Sequence, residues 1–215
     1  MFLKIRNIPK VYWSSEKPLN FKPKISTFFF LCLGLTLFGL GEGLLIVSAM
    51  GNSPWTVLAE GIHLDVGFSI GLITVFISIV VLLFWLPLKQ KPGIGTILNA
   101  LIIGLMIDVC IKFVPTPENY ISQILLAIIA VLTVGLGGGI YLVANLGAGP
   151  RDGLMIGLQN KTNLPIATVR AFLEITVMSI GWYLGGTVGI GTLLFAFGIG
   201  PAVALSLFIV GKFFN

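Results

Sequence analysis

Four charged residues lie inside long apolar runs of the sequence, where charged side chains could bind a solute or an ion. Glu42 lies in the first run, Asp108 in the third, and Arg170 and Glu174 in the fifth. Because a charge at membrane depth is costly, it commonly marks a substrate or ion site. Arg170 and Glu174 are four residues apart, so they share one helix face and can form a structural ion pair. Glu42 and Asp108 have no such local partner, and each could bind a proton, a cation or an arginine, or lie near a lipid head group.

A second candidate is the segment Gly-Ala-Gly-Pro-Arg-Asp-Gly over residues 147–153. Pro150 suits the first turn of a helix, and the free N–H groups at a helix start attract anions. Arg151 would add a bidentate donor for an anion, and Asp152 would complement the helix dipole. We therefore predict an anion-binding helix start. The alternative is that Gly-Pro only turns the chain and that Arg151 is a charge on the inner membrane face.

The sequence lacks the common motifs of enzymes and metal sites. Its one histidine, His63, stands three residues after Glu60 without further ligands, which makes a poor metal site. Neither a Gly-x-Ser-x-Gly elbow nor a P-loop is present. Cys32 and Cys110 both fall in apolar runs, where neither a disulfide nor a metal site is expected. We expect no enzymatic activity, no metal and no cofactor.

The composition is that of a protein whose surface faces lipid. Of the 215 residues, 56% are hydrophobic and 10% are charged, and the mean hydropathy is +1.04. Soluble domains carry about 25% charged residues. We therefore predict an all-α polytopic membrane protein whose main partner is the lipid bilayer. Six of the 13 basic residues precede the first apolar run, so residues 1–24 are predicted to be a basic cytoplasmic segment that does not bind nucleic acid.

Six apolar runs are long enough to cross the roughly 30 Å of membrane hydrocarbon. Between them lie two stretches, residues 49–67 and 144–164, that are short and polar and begin a helical pattern at a proline. We predict that these two stretches are half-helices, either re-entrant or interfacial. The six apolar runs are residues 26–48, 68–88, 94–114, 120–143, 165–184 and 189–211.

The distribution of lysine and arginine predicts the side of the membrane that each loop faces. With six spans and cytoplasmic N- and C-termini, 11 basic residues lie inside, Lys112 lies outside, and Arg170 lies within a span. If the two half-helices also spanned, the eight-span topology would place nine basic residues inside and three outside. The six-span topology follows the positive-inside rule better, and we predict it.

The chain contains an internal repeat at an offset of 96 residues. When residues 39–104 are aligned with residues 135–200 without a gap, 22 of the 66 positions are identical. The identities include both half-helix prolines and a complete Gly-Ile-Gly-Thr run. This duplication divides the chain into two membrane repeats, residues 25–114 and residues 115–215.

Three spans in each repeat have a consequence for orientation. Because three is an odd number, the second repeat must enter the membrane from the opposite side, so the repeats are inverted. Inverted repeats are a common plan of secondary transporters, with a binding site between the halves near the midplane. Duplication is also a simple route to any six-helix protein, so a structural role stays open. The glycines shared by the repeats allow close helix packing or, alternatively, local unwinding around a substrate.

The two half-helix starts are related by the repeat but differ in charge. The second start carries Arg151 and Asp152, whereas the first has Trp55 and a threonine at the same places. We therefore predict one basic and one neutral helix start at the site. The loop residues assigned to these starts are Gly51, Asn52 and Pro54 in the first repeat, and Gly147, Gly149 and Pro150 in the second.

Several segments resemble a known family. The stretch Leu-Gly-Ala-Gly-Pro-Arg-Asp-Gly-Leu at 146–154, the run Val-Arg-Ala-Phe-Leu-Glu at 169–174 and the run Gly-Ile-Gly-Thr at 189–192 are similar to the signature of the YczE/YitT-type bacterial integral membrane proteins. The resemblance is closest to the YczE branch, covers about residues 30–210 and leaves residues 1–24 unmatched. It implies a multi-pass protein of the bacterial inner membrane. In this family transport is often assumed, and branch members have been linked to the maturation of secondary-metabolite synthases.

These patterns together predict a small-solute transporter or channel with its site between the repeats. Because two of the candidate residues are cationic, we expect an anionic or zwitterionic solute. The alternative is a non-transporting accessory protein that supports the maturation or regulation of another protein and binds it through the basic N-terminus. The predicted substrate-binding residues are Glu42, Asp108, Arg151, Asp152, Arg170 and Glu174.

Overall fold

The computed structural model describes residues 8–214 and forms eight α-helices in that range. Residues 1–7, which include Lys4 and Arg6 of the predicted basic segment, and residue 215 lie outside the described part. No β-strand occurs between residues 8 and 214, so the all-α prediction is confirmed. The helices are α1 (Ile25–Val47), α2 (Pro54–Val66), α3 (Ile70–Trp85), α4 (Ile94–Phe113), α5 (Tyr120–Ala144), α6 (Pro150–Thr162), α7 (Ile166–Tyr183) and α8 (Ile190–Phe213).

Four of the helices can each cross a membrane by length and hydropathy, namely α1, α4, α5 and α8. Helices α2 and α3 meet at an angle of 113° and together form a fifth candidate, either a broken span or a re-entrant loop. Helix α3 alone has 16 residues, about 24 Å of helix, which is shorter than the hydrocarbon layer. The membrane character of the fold is confirmed, and the count of six spans stays a prediction.

The two short helices begin where the sequence predicts. Pro54 and Pro150 occupy the first turns of α2 and α6, where a proline sacrifices no hydrogen bond because the N–H groups there have no partner within the helix. Each helix has 13 residues, about 20 Å, and ends in a residue of left-handed conformation. Their starts and lengths agree with the predicted half-helices.

Helices α1 and α5 form the centre of the fold and run antiparallel. Gly34 of α1 lies against Tyr141 of α5, whereas Gly41, further along α1, lies against Val134, which comes earlier in α5. Small residues allow this close approach of two backbones. Both helices are continuous, so their glycines serve packing and not unwinding in this conformation. Helix α4 packs beside α1, and α8 packs beside α5.

The two repeats exchange backbone contacts reciprocally. The N–H of Gly95, at the start of α4, donates to the carbonyl of Leu146 at 2.8 Å. The N–H of Gly191, at the start of α8, donates to the carbonyl of Met50 at 2.6 Å. These bonds are repeat mates, because 191 − 95 = 96 and 146 − 50 = 96. The last helix of each repeat therefore starts on the half-helix loop of the other repeat.

Two glycines make this exchange possible. Gly51 and Gly147 have φ angles of 102° and 115°, a region that favours glycine. A side chain at Gly51 would collide with the backbone of Gly189, and one at Gly147 would come within 2.9 Å of Thr96 Oγ1. Both positions therefore need glycine for conformation and for space.

The half-helices also cross between the repeats. Helix α2 packs against α7, and α6 packs against α3. The indole N–H of Trp85 in α3 donates to the carbonyl of Pro150 at 2.9 Å and so fixes the start of α6. One packing is not shared by the two repeats. Helix α3 lies along α4, whereas α7 has no comparable packing against α8 within residues 8–214.

Part of the N-terminal segment belongs to the folded core. Trp13 is fully buried and stacks on Phe30, with 4.4 Å between the ring centroids. Thr27 Oγ1 donates to the carbonyl of Trp13 at 2.6 Å, and Asn145 Nδ2 donates to the carbonyl of Ser15 at 2.8 Å. The stretch around Trp13 therefore joins α1 to the end of α5 and is not a free tail.

Candidate solute-binding cavity

A cavity of about 260 Å³ lies between the two repeats. All eight helices or the loops at their starts contribute to its lining. It includes five of the six predicted substrate-binding residues, namely Glu42, Arg151, Asp152, Arg170 and Glu174. Further polar lining comes from Ser53, Thr74, Ser78, Asn99 and Tyr141, and apolar lining comes from residues such as Phe38, Ile103, Phe195, Ile199 and Val203.

Glu42 lines the cavity from α1 and is only 1% exposed. Its Oε2 atom accepts hydrogen bonds from Ser53 Oγ and Thr56 Oγ1, both at 2.7 Å. Ser53 is the cap residue of α2, so the carboxylate lies at the helix end whose dipole favours negative charge. The other oxygen, Oε1, is buried and has no hydrogen-bond partner in the described part of the chain.

Arg151 lies in the first turn of α6 and faces the ring of its repeat mate Trp55 (151 − 55 = 96), with 5.2 Å between the guanidinium carbon and the ring centroid. This is a cation–π contact. The negative charges of Glu42, Asp152 and Glu174 act on this guanidinium. Within residues 8–214, the guanidinium nevertheless forms no hydrogen bond or ion pair. Arg151 is therefore a cation in the field of three carboxylates that is bonded to none of them.

Asp152 follows Arg151 in the first turn of α6. Its Oδ2 atom accepts a hydrogen bond from the hydroxyl of Tyr141, which is 4% exposed in α5. A carboxylate at a helix start is stabilised by the helix dipole. The pair therefore ties the start of the second half-helix to the central pair α1–α5.

Arg170 and Glu174 form an ion pair on α7, with 2.8 Å between Nε and Oε1. The pairing predicted from their spacing is confirmed. Their side chains are 44% and 24% exposed, and pairs of this kind usually contribute less than about 1 kcal/mol to stability. Folding alone therefore gives little reason for two charges beside the cavity.

Asp108, the sixth predicted residue, lies outside the cavity lining. Its Oδ2 atom accepts from Ser69 Oγ at 2.6 Å, and its Oδ1 atom accepts from the N–H of Gly71 at 2.8 Å. Both donors are at the start of α3, so Asp108 satisfies a helix start and ties α4 to α3. The geometry gives Asp108 a structural position, because both of its oxygens are already bonded there.

Four of the six predicted half-helix loop residues form the two starts themselves. Pro54 and Gly149 line the cavity at the beginnings of α2 and α6. Gly51 and Gly147 form the left-handed turns that precede them.

The other two loop residues hold the starts in place without lining the cavity. The Nδ2 of Asn52 donates to Glu60 Oε2 at 2.8 Å, and the N–H of Asn52 donates to the carbonyl of Thr187 at 3.1 Å. The carbonyl of Pro150 accepts the indole N–H of Trp85. These bonds anchor each half-helix start to the opposite repeat or to its own helix.

The repeat offset of 96 residues identifies cavity-lining residues that a search for charged residues does not find. Thr74 and Ser78 of α3 line the cavity and are the repeat mates of Arg170 and Glu174, because 170 − 74 = 96 and 174 − 78 = 96. Each hydroxyl donates to a backbone carbonyl one turn earlier in its own helix. A search for polar residues at the repeat offset would have found both. The other polar residues that sequence reasoning missed at the site are Ser53, Thr56, Asn99 and Tyr141.

The cavity offers hydrogen bonds, two cations and three carboxylates. Within residues 8–214, no three His, Cys, Asp or Glu side chains are close enough to hold a metal ion. A concave site with a few placed polar groups and an apolar wall suits a small organic solute. The fold and the site thus define a helical membrane protein with a polar cavity at its centre.

The chain belongs to a family of unknown function, DUF6198, whose model matches residues 25–207. It is also 34% identical over 183 residues to the uncharacterized membrane protein YczE of Bacillus subtilis, with 84% of each chain covered. The resemblance to the YczE branch is therefore confirmed, and the membrane location agrees with it.

Two further relatives extend this comparison. An uncharacterized protein of Haemophilus influenzae is 40% identical over 209 residues, which cover 97% of this chain and 95% of the relative. The uncharacterized protein YyaS of Bacillus subtilis is 29% identical over 167 residues, which cover 75% of this chain and 83% of the relative. No solved structure matches the chain. The activity must therefore be inferred from the cavity.

Proposed function

We propose that the protein is a small-solute transporter or channel whose solute binds between two inverted repeats. The observation that carries this proposal is the central cavity, which both repeats line from equivalent positions and which holds five charged side chains. Charges inside a membrane protein are costly and are usually retained for binding or transport. A bundle with a purely structural role would have no need of them.

The proposed topology has six spans in the bacterial inner membrane, with both termini in the cytoplasm. The antiparallel packing of the repeat mates α1 and α5 supports an inverted arrangement. The positive-inside rule supports the cytoplasmic termini, because 11 of the 13 basic residues then lie inside. In this topology α2 lies on the outer side and α6 on the inner side, so the two half-helix starts approach the cavity from opposite faces.

We propose that a solute enters the cavity between α7 and α8, which lack the close packing of α3 and α4 within residues 8–214. In the first repeat the equivalent helices touch, and a Cβ on Gly104 of α4 would lie 2.6 Å from the carbonyl oxygen of Gly71 in α3. In the second repeat Gly200 of α8 lines the cavity, and a Cβ there would meet nothing within 4 Å. We propose that this side is open in the present conformation and that the two equivalent sides open alternately during transport.

The proposed solute is small and either anionic or zwitterionic. Arg151 and Arg170 line the cavity, and the starts of α2 and α6 add N–H groups that favour a negative charge. The volume of about 260 Å³ is below the roughly 300–1,000 Å³ that is typical of drug-sized ligands. A solute of a few carbon atoms fits these limits.

Uptake into proteoliposomes tests the proposal. The purified protein would be reconstituted and supplied with radiolabelled acetate, lactate, glycine or L-alanine. We expect uptake of at least one of them above that of protein-free vesicles. We expect Arg151→Ala and Glu174→Gln to lower it by about tenfold or more, the effect of losing a charge-assisted contact.

The matched control for this experiment is Glu118→Gln, which removes an exposed carboxylate in the loop before α5. Its uptake should equal that of the wild type. Equal flux of every solute in the wild type and in both cavity variants would contradict a solute-specific site, and absence of uptake of all four solutes would count against transport.

A non-transporting accessory role is the second candidate, and the exposed aromatic groups of the N-terminal segment favour it. Tyr12 and Phe21 are 66% and 65% exposed, although Trp13 beside them is buried. Rigidly held aromatic side chains are common anchors in protein interfaces. A pull-down with the double variant Tyr12→Ala/Phe21→Ala, which keeps Trp13, tests this role. Loss of one specific partner with unchanged uptake favours an accessory function, and an unchanged set of partners argues against it.

A further inference from the structure

The five charged residues of the cavity differ in whether they already have a partner. Asp152 accepts a hydrogen bond from a tyrosine, and Arg170 is paired with Glu174. Within residues 8–214, the two that remain are Glu42, whose Oε1 has no hydrogen-bond partner, and Arg151, whose guanidinium forms no hydrogen bond or ion pair. The site thus has one negatively charged hydrogen-bond acceptor and one positively charged hydrogen-bond donor group that are available to a ligand.

The Oε1 atom of Glu42 can accept a hydrogen bond from a bound solute. The residue is 99% buried, since 1% of it is exposed, and the serine and threonine hydroxyls at the start of α2 bind only Oε2. An unpaired polar atom in such a place is destabilising, and more so when it is charged. An ammonium group on the solute would give Oε1 the hydrogen bond that it lacks.

The guanidinium of Arg151 can donate hydrogen bonds to an acceptor on a bound solute. It has five N–H donors, and its guanidinium carbon lies 5.2 Å from the centroid of the Trp55 ring. Arg151 and Glu42 line the same cavity, but in the described part of the chain no carboxylate oxygen lies within 4.0 Å of an Arg151 nitrogen. Both residues therefore face one cavity without forming an ion pair with each other.

We propose, building on the solute-binding function proposed above, that this cavity binds a small zwitterion with an ammonium and a carboxylate on one carbon atom, as in an amino acid. The carboxylate binds Arg151 and the N–H groups at the start of α6, where bidentate geometry is available. The ammonium binds Oε1 of Glu42. The solute thereby forms one ion pair with Arg151 and another with Glu42, two residues that are not paired with each other.

The charge balance of the cavity favours a zwitterion over a simple anion or cation. Two arginines and three carboxylates line it, a formal charge of 2 − 3 = −1. A simple anion would raise this negative charge and leave Oε1 of Glu42 unpaired. A simple cation would leave Arg151 unpaired. A zwitterion satisfies both groups without changing the total charge.

The remaining wall of the cavity predicts the side group of the solute. Phe195, Ile199 and Val203 of α8 are apolar and line the cavity together with Phe38 of α1. Contact between this apolar surface and a hydrocarbon group of the solute removes both from water and favours binding. The expected ligand is therefore an amino acid with a short apolar side chain.

Binding to the full-length purified protein in detergent tests this inference without any flux measurement. The probes are glycine, L-alanine, L-valine, L-leucine and L-phenylalanine, measured by isothermal titration calorimetry. For the tightest binder, the two analogues that lack one charged group are then compared. For L-leucine they are 4-methylpentanoate and 3-methylbutylamine. We expect each analogue to bind about tenfold more weakly or worse.

Two variants test which residue binds the ammonium group of the ligand and which binds its carboxylate. Glu42→Gln should weaken binding of the amino acid about tenfold while leaving the carboxylate-only analogue within about twofold of its wild-type affinity. Arg151→Gln should weaken the amino acid similarly and spare the amine-only analogue. Unfolding midpoints of the ligand-free variants test whether each variant is folded. A variant that does not fold is replaced by Glu42→Asp or Arg151→Lys. These substitutions keep the charge but change its position, so they should also weaken binding.

The outcomes separate this inference from the transport proposal. Binding of none of the five amino acids, or analogues that bind as tightly as the amino acid, overturns the zwitterion site. Amino-acid binding in detergent without uptake into proteoliposomes overturns transport and leaves the site intact. Uptake of acetate or lactate without amino-acid binding supports transport and overturns the zwitterion.

Discussion

The two repeats line one cavity from equivalent positions but with different side chains. On α3 the lining residues Thr74 and Ser78 are buried and bond their own helix, whereas the mates on α7 are the charged pair Arg170 and Glu174. Four of the five charged lining residues belong to the second repeat and only Glu42 to the first, so the two halves present different surfaces to a bound molecule. Equivalent backbone positions of the two repeats can therefore carry different chemistry.

The repeats also differ in how tightly their last helices are held. Helix α4 touches α3 where Gly104 meets Gly71, but the mate of Gly104 in α8, Gly200, faces open space. Within residues 8–214, the main packing partners of α7 are α2 and α6. The comparison therefore predicts that the first repeat is the rigid half in this conformation and that the second repeat moves.

The largest effect should come from breaking the loops that both repeats share. Gly51→Ala and Gly147→Ala would each force a side chain into a left-handed turn and against a neighbouring backbone or hydroxyl. We expect each to lower the free energy of unfolding by about 3 kcal/mol. Unfolding midpoints in detergent would measure this. If the two losses differ widely, the loops are not equivalent.

Gly67→Ala is the matched control for that prediction. Gly67 also has a positive φ, 74°, but a Cβ there would meet nothing within 4 Å. It should cost about 1 kcal/mol, the conformational part alone. A loss as large as that of Gly51→Ala would show that crowding contributes nothing at the shared loops.

The next largest effect should distinguish the tight repeat from the loose one. Gly104→Ala places a Cβ 2.6 Å from the carbonyl oxygen of Gly71 and 2.7 Å from Val75, so we expect a loss of about 2 kcal/mol. Gly200→Ala meets nothing and should change stability by less than about 1 kcal/mol, because alanine favours helix. Thermal unfolding of the two variants measures the contrast. Equal losses would mean that α7 and α8 pack together after all.

A smaller effect should follow from loosening one half-helix start. Trp85→Phe keeps the ring against α6 but removes the indole N–H that donates to Pro150, which should cost about 1 kcal/mol. Its repeat mate is Gly181 (181 − 85 = 96), which packs directly on α2 without such a bond. Proteolysis near residue 150 should rise in Trp85→Phe. Unchanged proteolysis would show that the hydrogen bond does not fix the α6 start.

The smallest effect on stability should come from the charged pair itself. Arg170→Ala removes a partly exposed ion pair and should cost less than about 1 kcal/mol, yet it should strongly lower uptake into proteoliposomes. Thr74→Ala, at the equivalent position of the first repeat, should leave uptake near the wild-type rate. Equal uptake by both variants would remove the functional contrast between the repeats.

Much of the helical frame could be predicted from sequence because hydrocarbon imposes local rules. Apolar runs end where the helices end within a few residues, and the prolines at 54 and 150 mark helix starts that need no long-range information. The i, i+4 spacing likewise predicted the Arg170–Glu174 pair. These features depend on neighbours in the chain.

The long-range hydrogen bonds that separate a cavity-lining acid from a structural one could not be predicted in this way. The donors to Glu42 are 11 and 14 residues away along the chain, and those to Asp108 are 39 and 37 residues away. Both acids looked alike in sequence, since each is a lone charge in an apolar run. Burial of Trp13 was equally hidden, because it depends on α1 and the C-terminal Phe214.

The inverted orientation of the repeats is the central claim, and labelling of Asp65 and Lys161 tests it most directly. These exposed residues are repeat mates at the ends of α2 and α6, because 161 − 65 = 96. Each would be changed to cysteine after Cys32 and Cys110 are replaced by alanine, and intact spheroplasts would be treated with a membrane-impermeant maleimide. We predict that Asp65→Cys reacts from outside and that Lys161→Cys reacts only after permeabilisation. Reaction of both from the same side would contradict the inverted arrangement and the cavity shared between its halves.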